Sequence, residues 1–125
     1  MNYLHGISMD VERLDERIFM EFKAIGTLTH SDYKKITPQI DEALIGINNP
    51  IVNAYVDSTE FEGWQLQAAW DDLLLGMKHG KKFNKVAVYG NGEWDDLISR
   101  VGTWFVSGEV KCFEEPLDAL SWLRE

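Results

Sequence analysis

The chain has 125 residues, of which 45% are apolar and 26% charged, and a formal charge of −9. That length fits a single domain over residues 1–125, large enough to bury a core without a disulfide or metal staple. The acidic balance argues against generic nucleic-acid binding, which neutralises phosphates with Lys and Arg, and the single cysteine, Cys112, excludes an internal disulfide or a cysteine-built metal site.

No stretch reaches the ~18–20 consecutive apolar residues that span a bilayer, and the first residues lack the charged-then-apolar pattern of a secretory signal. The expected address is the cytoplasm. In chain order, a short apolar stretch over Leu4 to Ser8 is followed by a polar reversal from Asp10 to Arg17. Then Ile18, Met20, Phe22 and Ala24 alternate with Phe19, Glu21, Lys23 and Ile25, the period of a half-buried strand. The two stretches read as an antiparallel hairpin.

Thr29, followed three residues later by Asp32, resembles a capping box. It opens a helix with Tyr33, Ile36, Ile40, Ala43 and Leu44 on one face, in which Pro38 predicts a kink or break. Ile51–Asp57 reads as a buried strand. A second helix carries Leu66, Ala69, Trp70, Leu73, Leu74 and Met77 at helical spacing and stops at Lys78-His79-Gly80. Val86–Gly90 is another buried strand. Asn91 caps a helix with Trp94, Leu97, Ile98, Val101, Trp104 and Phe105 along it, Val110–Phe113 is a last strand, and Pro116 starts a final helix. The succession β-β-α-β-α-β-α-β-α predicts an α/β fold with a mixed, mostly parallel five-stranded sheet covered by about four helices. The strand over 18–24 is expected to pair antiparallel with the N-terminal one, and the later strands to run parallel.

Standard catalytic signatures are absent from the sequence. His5, His30 and His79 are far apart and read as surface or locally paired histidines, with no metal site expected. Cys112 reads as a buried, unreactive thiol. Gly90-Asn91-Gly92-Glu93 resembles a phosphate-binding turn, but Glu93, Asp95 and Asp96 at the same helix start would repel a phosphate, so a capped turn is the favoured reading. Asp57–Trp64 reads as a second strand-to-helix turn, in which Ser58 and Thr59 either accept a phosphoryl group or cap the turn; capping is favoured. The adjacent pairs Asp71-Asp72 and Asp95-Asp96 diverge on a helix and read as solvated faces. The expectation is a protein that is not an enzyme, without metal or cofactor.

Five tryptophans, Trp64, Trp70, Trp94, Trp104 and Trp122, fall on helical segments or their ends. Most are expected in the core. Trp104-Phe105-Val106 lies between Gly102 and Gly108, a setting for a hinged cover over an apolar pocket. The predicted ligand site is therefore a cleft lined by Trp70, Leu73, Leu74, Met77, Leu97, Ile98 and Val101, with Trp104 and Phe105 as its cover. Lys78, Lys81, Lys82 and Lys85 reverse the local charge sign and are candidates to face an anionic membrane surface.

Several stretches together resemble the bacterial SpoIIAA-like proteins of the STAS and CRAL-TRIO-like superfamily. They are Val56-Asp57 through Phe61-Glu62-Gly63-Trp64, Lys78-His79-Gly80-Lys81-Lys82-Phe83, Lys85-Val86-Ala87-Val88-Tyr89-Gly90, and the closing Phe113, Ala119 and Trp122-Leu123. The resemblance covers nearly the whole chain through several scattered positions and implies a SpoIIAA-like fold of about five strands and four helices. It implies a non-enzymatic role in binding or carrying a non-polar small molecule or lipid, with reversible peripheral membrane association, or as a homodimer or partner of another protein. The alternative it implies is a STAS-like regulatory interaction module. Anti-sigma-factor antagonists of that superfamily carry a phosphoacceptor serine in an Asp-Ser-Ser-Gly type motif. The corresponding place here reads Phe61-Glu62-Gly63-Trp64, without a serine, and Ser58 lies upstream.

Overall fold

The computed structural model describes residues 5–14, 17–47, 50–64, 83–90 and 108–125. Five strands form one sheet in the spatial order of the sequence: β1 (Gly6–Leu14), β2 (Arg17–Leu28), β3 (Ile51–Trp64), β4 (Phe83–Tyr89) and β5 (Glu109–Phe113). β1 and β2 pair antiparallel, from Gly6↔Ile25 to Leu14↔Arg17. The pairs β2–β3, β3–β4 and β4–β5 are parallel. This is the strand pairing expected from short and long connections.

Two helices are present among the described residues, α1 (His30–Leu44) and α2 (Pro116–Arg124). The expected helices after Leu66 and after Asn91 lie outside the described residues. Over what is described, the succession is β-β-α-β-β-β-α rather than the nine-element order with four helices.

The alternation in β2 sorts its two faces. Ile18, Met20, Phe22 and Ala24 are buried with Tyr33, Ile36, Ile40 and Leu44 of α1 and with Val52, Ala54, Val86 and Val88 of the neighbouring strands. On the opposite face, Tyr55 and Ala87 pack with Ala119, Trp122 and Leu123 of α2, flanked by Phe19, Tyr89 and Phe113. β3 and β4 thus bury residues on both faces, which is why they read as near-continuous apolar runs.

Three expected boundaries are corrected. The polar reversal over Asp10–Arg17 is mostly strand: β1 continues to Leu14, with Asp10 opposite Glu21 and Glu12 opposite Phe19. An edge strand with one wet face tolerates alternate charges. The turn expected over Asp57–Trp64 is also strand, since β3 pairs with β2 as far as Leu28↔Trp64 across two register shifts. Nor does Pro38 break α1, which runs unbroken through it. Proline removes the donor to the Lys34 carbonyl, a loss tolerated on the exposed side of the helix, where both Pro38 and Lys34 lie.

At the start of α1, Oδ2 of Asp32 accepts from the Thr29 N–H at 2.8 Å and from the Thr29 hydroxyl at 3.1 Å. The aspartate thus closes the helix start as the Thr-x-x-Asp spacing predicts.

Candidate functional site

The nine residues expected to form the apolar cleft and its cover, Trp70, Leu73, Leu74, Met77, Leu97, Ile98, Val101, Trp104 and Phe105, lie outside the described residues, as do Lys78, Lys81 and Lys82. What the structure does show is the surface of the sheet formed by β3, β4 and β5. On the α1 face, Val52, Ala54, Val86 and Val88 are fully buried, with half-buried Val56, Val110 and Cys112 packed against the same cluster. This floor is apolar across three parallel strands. Burial pushes the Cys112 thiol above its ordinary pKa, so it is predominantly the neutral, weakly nucleophilic form at neutral pH.

Lys85 is described, and its ammonium is engaged. It donates to the carbonyls of Trp122 at 3.1 Å and Glu125 at 3.3 Å, and sits 5.2 Å from the Trp122 ring centroid. Lys111 lies 5.1 Å from the same centroid. Asn53 donates to the Leu123 carbonyl at 3.0 Å. The Trp122 carbonyl also accepts from the Glu125 N–H at 3.3 Å, and the carbonyls at the end of α2 are thus capped from β3 and β4 as well as locally. Lys85 tethers a helix end here, a role distinct from facing a membrane.

Gly108, expected as a hinge, precedes β5, and a Cβ there would stand 2.5 Å from the Phe83 carbonyl oxygen and 3.1 Å from that of Asn84. Close backbone approach is what requires glycine at this position. Its proposed partner in the hinge, Gly102, lies outside the described residues.

At the carboxyl end of the parallel strands, β4 stops at Tyr89 while β3 continues. The Ser58 hydroxyl donates to the Tyr89 carbonyl at 2.9 Å, and the Gly90 N–H donates to Phe113 O at 3.3 Å. Ser58 is buried, so its hydroxyl finishes the β4 ladder. The Thr59 hydroxyl and N–H both donate to Oδ1 of Asp57, at 2.6 and 3.0 Å. These bonds lie within β3 and not at the strand-to-helix turn expected for Ser58 and Thr59.

On the α2 face of the same strands, Tyr55 and Tyr89 stack with ring centroids 6.3 Å apart and an interplanar angle of 24°. Burial, with the negative charges of Asp57 and Glu21 and the neighbouring Tyr89, pushes the Tyr55 phenol up to about 12. Sequence reasoning missed this group. The usable signal was period-2 spacing on the second face, Tyr55 and Asp57 in β3 with Tyr89 in β4.

Among the described residues, no group of three His, Cys, Asp or Glu side chains is placed to hold a metal ion, and no helix is long and apolar enough to cross a membrane. A profile of the SpoIIAA-like family matches residues 19–124. The chain is also similar to an uncharacterized protein of the DUF3478 family with a SpoIIAA-like fold from Shewanella loihica PV-4. That crystal structure shares 49% identity, with 98% of each chain covered and a TM-score of 0.84. Comparison with curated proteins returned no match.

Proposed function

The chain belongs to the SpoIIAA-like family, and from that premise we propose that it is a non-enzymatic protein that binds or carries a non-polar small molecule or lipid. The observation that supports this reading is the apolar floor of Val52, Ala54, Val86 and Val88 on one face of the sheet. The right-handed crossover rule predicts the connections from β3 to β4 and from β4 to β5 on that same face. Those connections carry the concentration of large apolar side chains, Trp70, Leu73, Leu74, Met77, Leu97, Ile98, Val101, Trp104 and Phe105. Small and branched floor residues beneath long and aromatic ones suit an apolar pocket. Lys81 and Lys82, with Lys78, then serve reversible association with anionic headgroups, at ~1 kcal/mol each.

The alternative, a STAS-like regulatory module, finds less support. Its phosphoacceptor position lacks a serine, and the nearest upstream hydroxyl, Ser58, is buried and engaged with the Tyr89 carbonyl.

The test is titration with a fluorescent fatty-acid probe, with vesicle co-sedimentation in parallel. Wild type binds the probe saturably, and Trp104→Ala/Phe105→Ala weakens binding roughly tenfold, the effect of ~1.4 kcal/mol. Lys81→Glu/Lys82→Glu reduces co-sedimentation with anionic vesicles and leaves probe binding intact. If wild type ignores both probe and vesicles, the carrier reading fails and the interaction module takes its place.

A further inference from the structure

We infer that the outer edge of β1 is a dimerisation surface. Its occupant is a second copy of this chain, paired antiparallel about Met9 so that the two sheets run on as one. The surface lies on the side of the sheet away from β4 and β5 and stands independently of the carrier reading.

A strand at a sheet edge points alternate backbone N–H and C=O groups outward, and native sheets blunt such edges by shortness, proline, lysine or a bulge. β5, the other edge, is only five residues long. β1 has nine, with neither proline nor lysine among them, and it pairs with β2 residue for residue without a register shift. Its outer side has no strand partner among the described residues.

The two faces of β1 are sorted. Ile7, Met9 and Val11 lie opposite Ala24, Phe22 and Met20, on the buried face with α1, and Gly6, Ser8, Asp10 and Glu12 take the other face. Ile7 and Met9 are half-buried, whereas Val11 is 38% exposed at the end of this apolar row.

A two-fold axis normal to the sheet keeps the apolar faces together only when the pairing centres on a residue. Centred on Asp10 or Glu12, that carboxylate meets its own copy; centred on Val11, Asp10 meets Glu12 on both sides. Centred on Ser8, the overlap within β1 shrinks to Gly6–Asp10 and Val11 falls outside it. Centred on Met9, Val11 meets Ile7 on both sides, Met9 meets Met9, Asp10 meets Ser8 and Glu12 meets Gly6. Apolar side chains then pair with apolar ones, and no like charges stand directly opposed. One residue further on, Arg13 meets His5, the partner of the buried Asp32 carboxylate. The two Asp10 side chains sit on the weaker diagonal, about 7–8 Å apart.

The test is sedimentation velocity of the full-length chain from low micromolar to near-millimolar concentration, with disulfide trapping to read the register. A reversible monomer–dimer equilibrium is expected. Val11→Glu, at an exposed position outside the core, should weaken it roughly tenfold. Opposed antiparallel residues have Cα atoms about 4.5–5.5 Å apart, within reach of a disulfide. In a Cys112→Ser background, Met9→Cys should therefore cross-link to its own copy under mild oxidation. Glu12→Cys, set apart from its copy by most of the overlap, should not. The wild-type equilibrium tests the surface even where a substitution disturbs folding. A monomer at every concentration, a dimer indifferent to Val11→Glu, or cross-linking through Glu12→Cys rather than Met9→Cys would overturn the β1 surface. Binding of the fatty-acid probe reads the carrier function separately, so a monomer that still takes up the probe counts against the β1 surface alone.

Discussion

Nδ1 of His5 lies 2.8 Å from Oδ2 of Asp32, joining the residue before β1 to the first turn of α1. Asp32 is buried. Burial pushes its carboxyl up, but hydrogen bonds from the Thr29 N–H, His5 and the Thr29 hydroxyl, with the His5 charge, outweigh it and hold the carboxyl below its ordinary pKa.

Asp32→Ala is therefore expected to destabilise the fold by ~1–2 kcal/mol at neutral pH. The sign of the pH dependence follows from the lowered pKa. The contribution is complete above the unfolded carboxylate value and is lost as pH falls through the folded one. Urea unfolding of wild type and variant should show a gap at neutral pH that closes on the acid side. A gap independent of pH would contradict the account.

Ser58→Ala leaves the Tyr89 carbonyl without its side-chain donor and should cost ~1 kcal/mol. Ser58→Asp places a charge in a buried site and should cost more, measured as a larger fall in Tm. A phosphoserine mimic with wild-type stability would return the regulatory-switch reading to the front.

Lys85→Met keeps the side-chain length and removes the donor to the carbonyls of Trp122 and Glu125. A loss of ~1 kcal/mol is expected, from the helix cap and from the charge at the helix C-terminus. Lys111→Met removes only the contact over the Trp122 ring and should cost less. Denaturant midpoints followed by tryptophan fluorescence rank the two variants.

Tyr55, pushed up to about 12, holds its proton after an unfolded tyrosine has released its own. Stability is therefore lost as pH rises above the ordinary tyrosine value, on the order of 1 kcal/mol per pH unit until the folded phenol ionises. Absorbance titration of phenolate should show a late-titrating component that disappears in Tyr55→Phe, and that variant should lose the corresponding alkaline destabilisation.

Elements whose signal is local were legible in the sequence. Alternation from Ile18 to Ile25 identified β2 and its buried face, and Thr29 with Asp32 identified the start of α1, because each rests on neighbours a few residues apart. Long-range pairing was not. The residues from Ser58 to Gly63 look like a turn because Ser, Thr, Glu and Gly disfavour strands in isolation, yet pairing with β2 carries β3 to Trp64. Gly108 read as a hinge because nothing local shows the Phe83 backbone pressed against it. His5 and Asp32, Lys85 and α2, and Tyr55 and Tyr89 meet only once the register is set. The apolar cleft residues and Lys78, Lys81 and Lys82 fall outside the described residues, and their roles rest on composition, connectivity and family membership.

The central claim is that the protein holds a non-polar small molecule. Its most direct test is organic extraction of protein purified without detergent, followed by mass spectrometry against a mock purification. The account predicts one or a few apolar species enriched in near-stoichiometric amount, and reduced in Trp104→Ala/Phe105→Ala. Extracts indistinguishable from the mock, together with no uptake of fatty-acid probe by the delipidated protein, would contradict it.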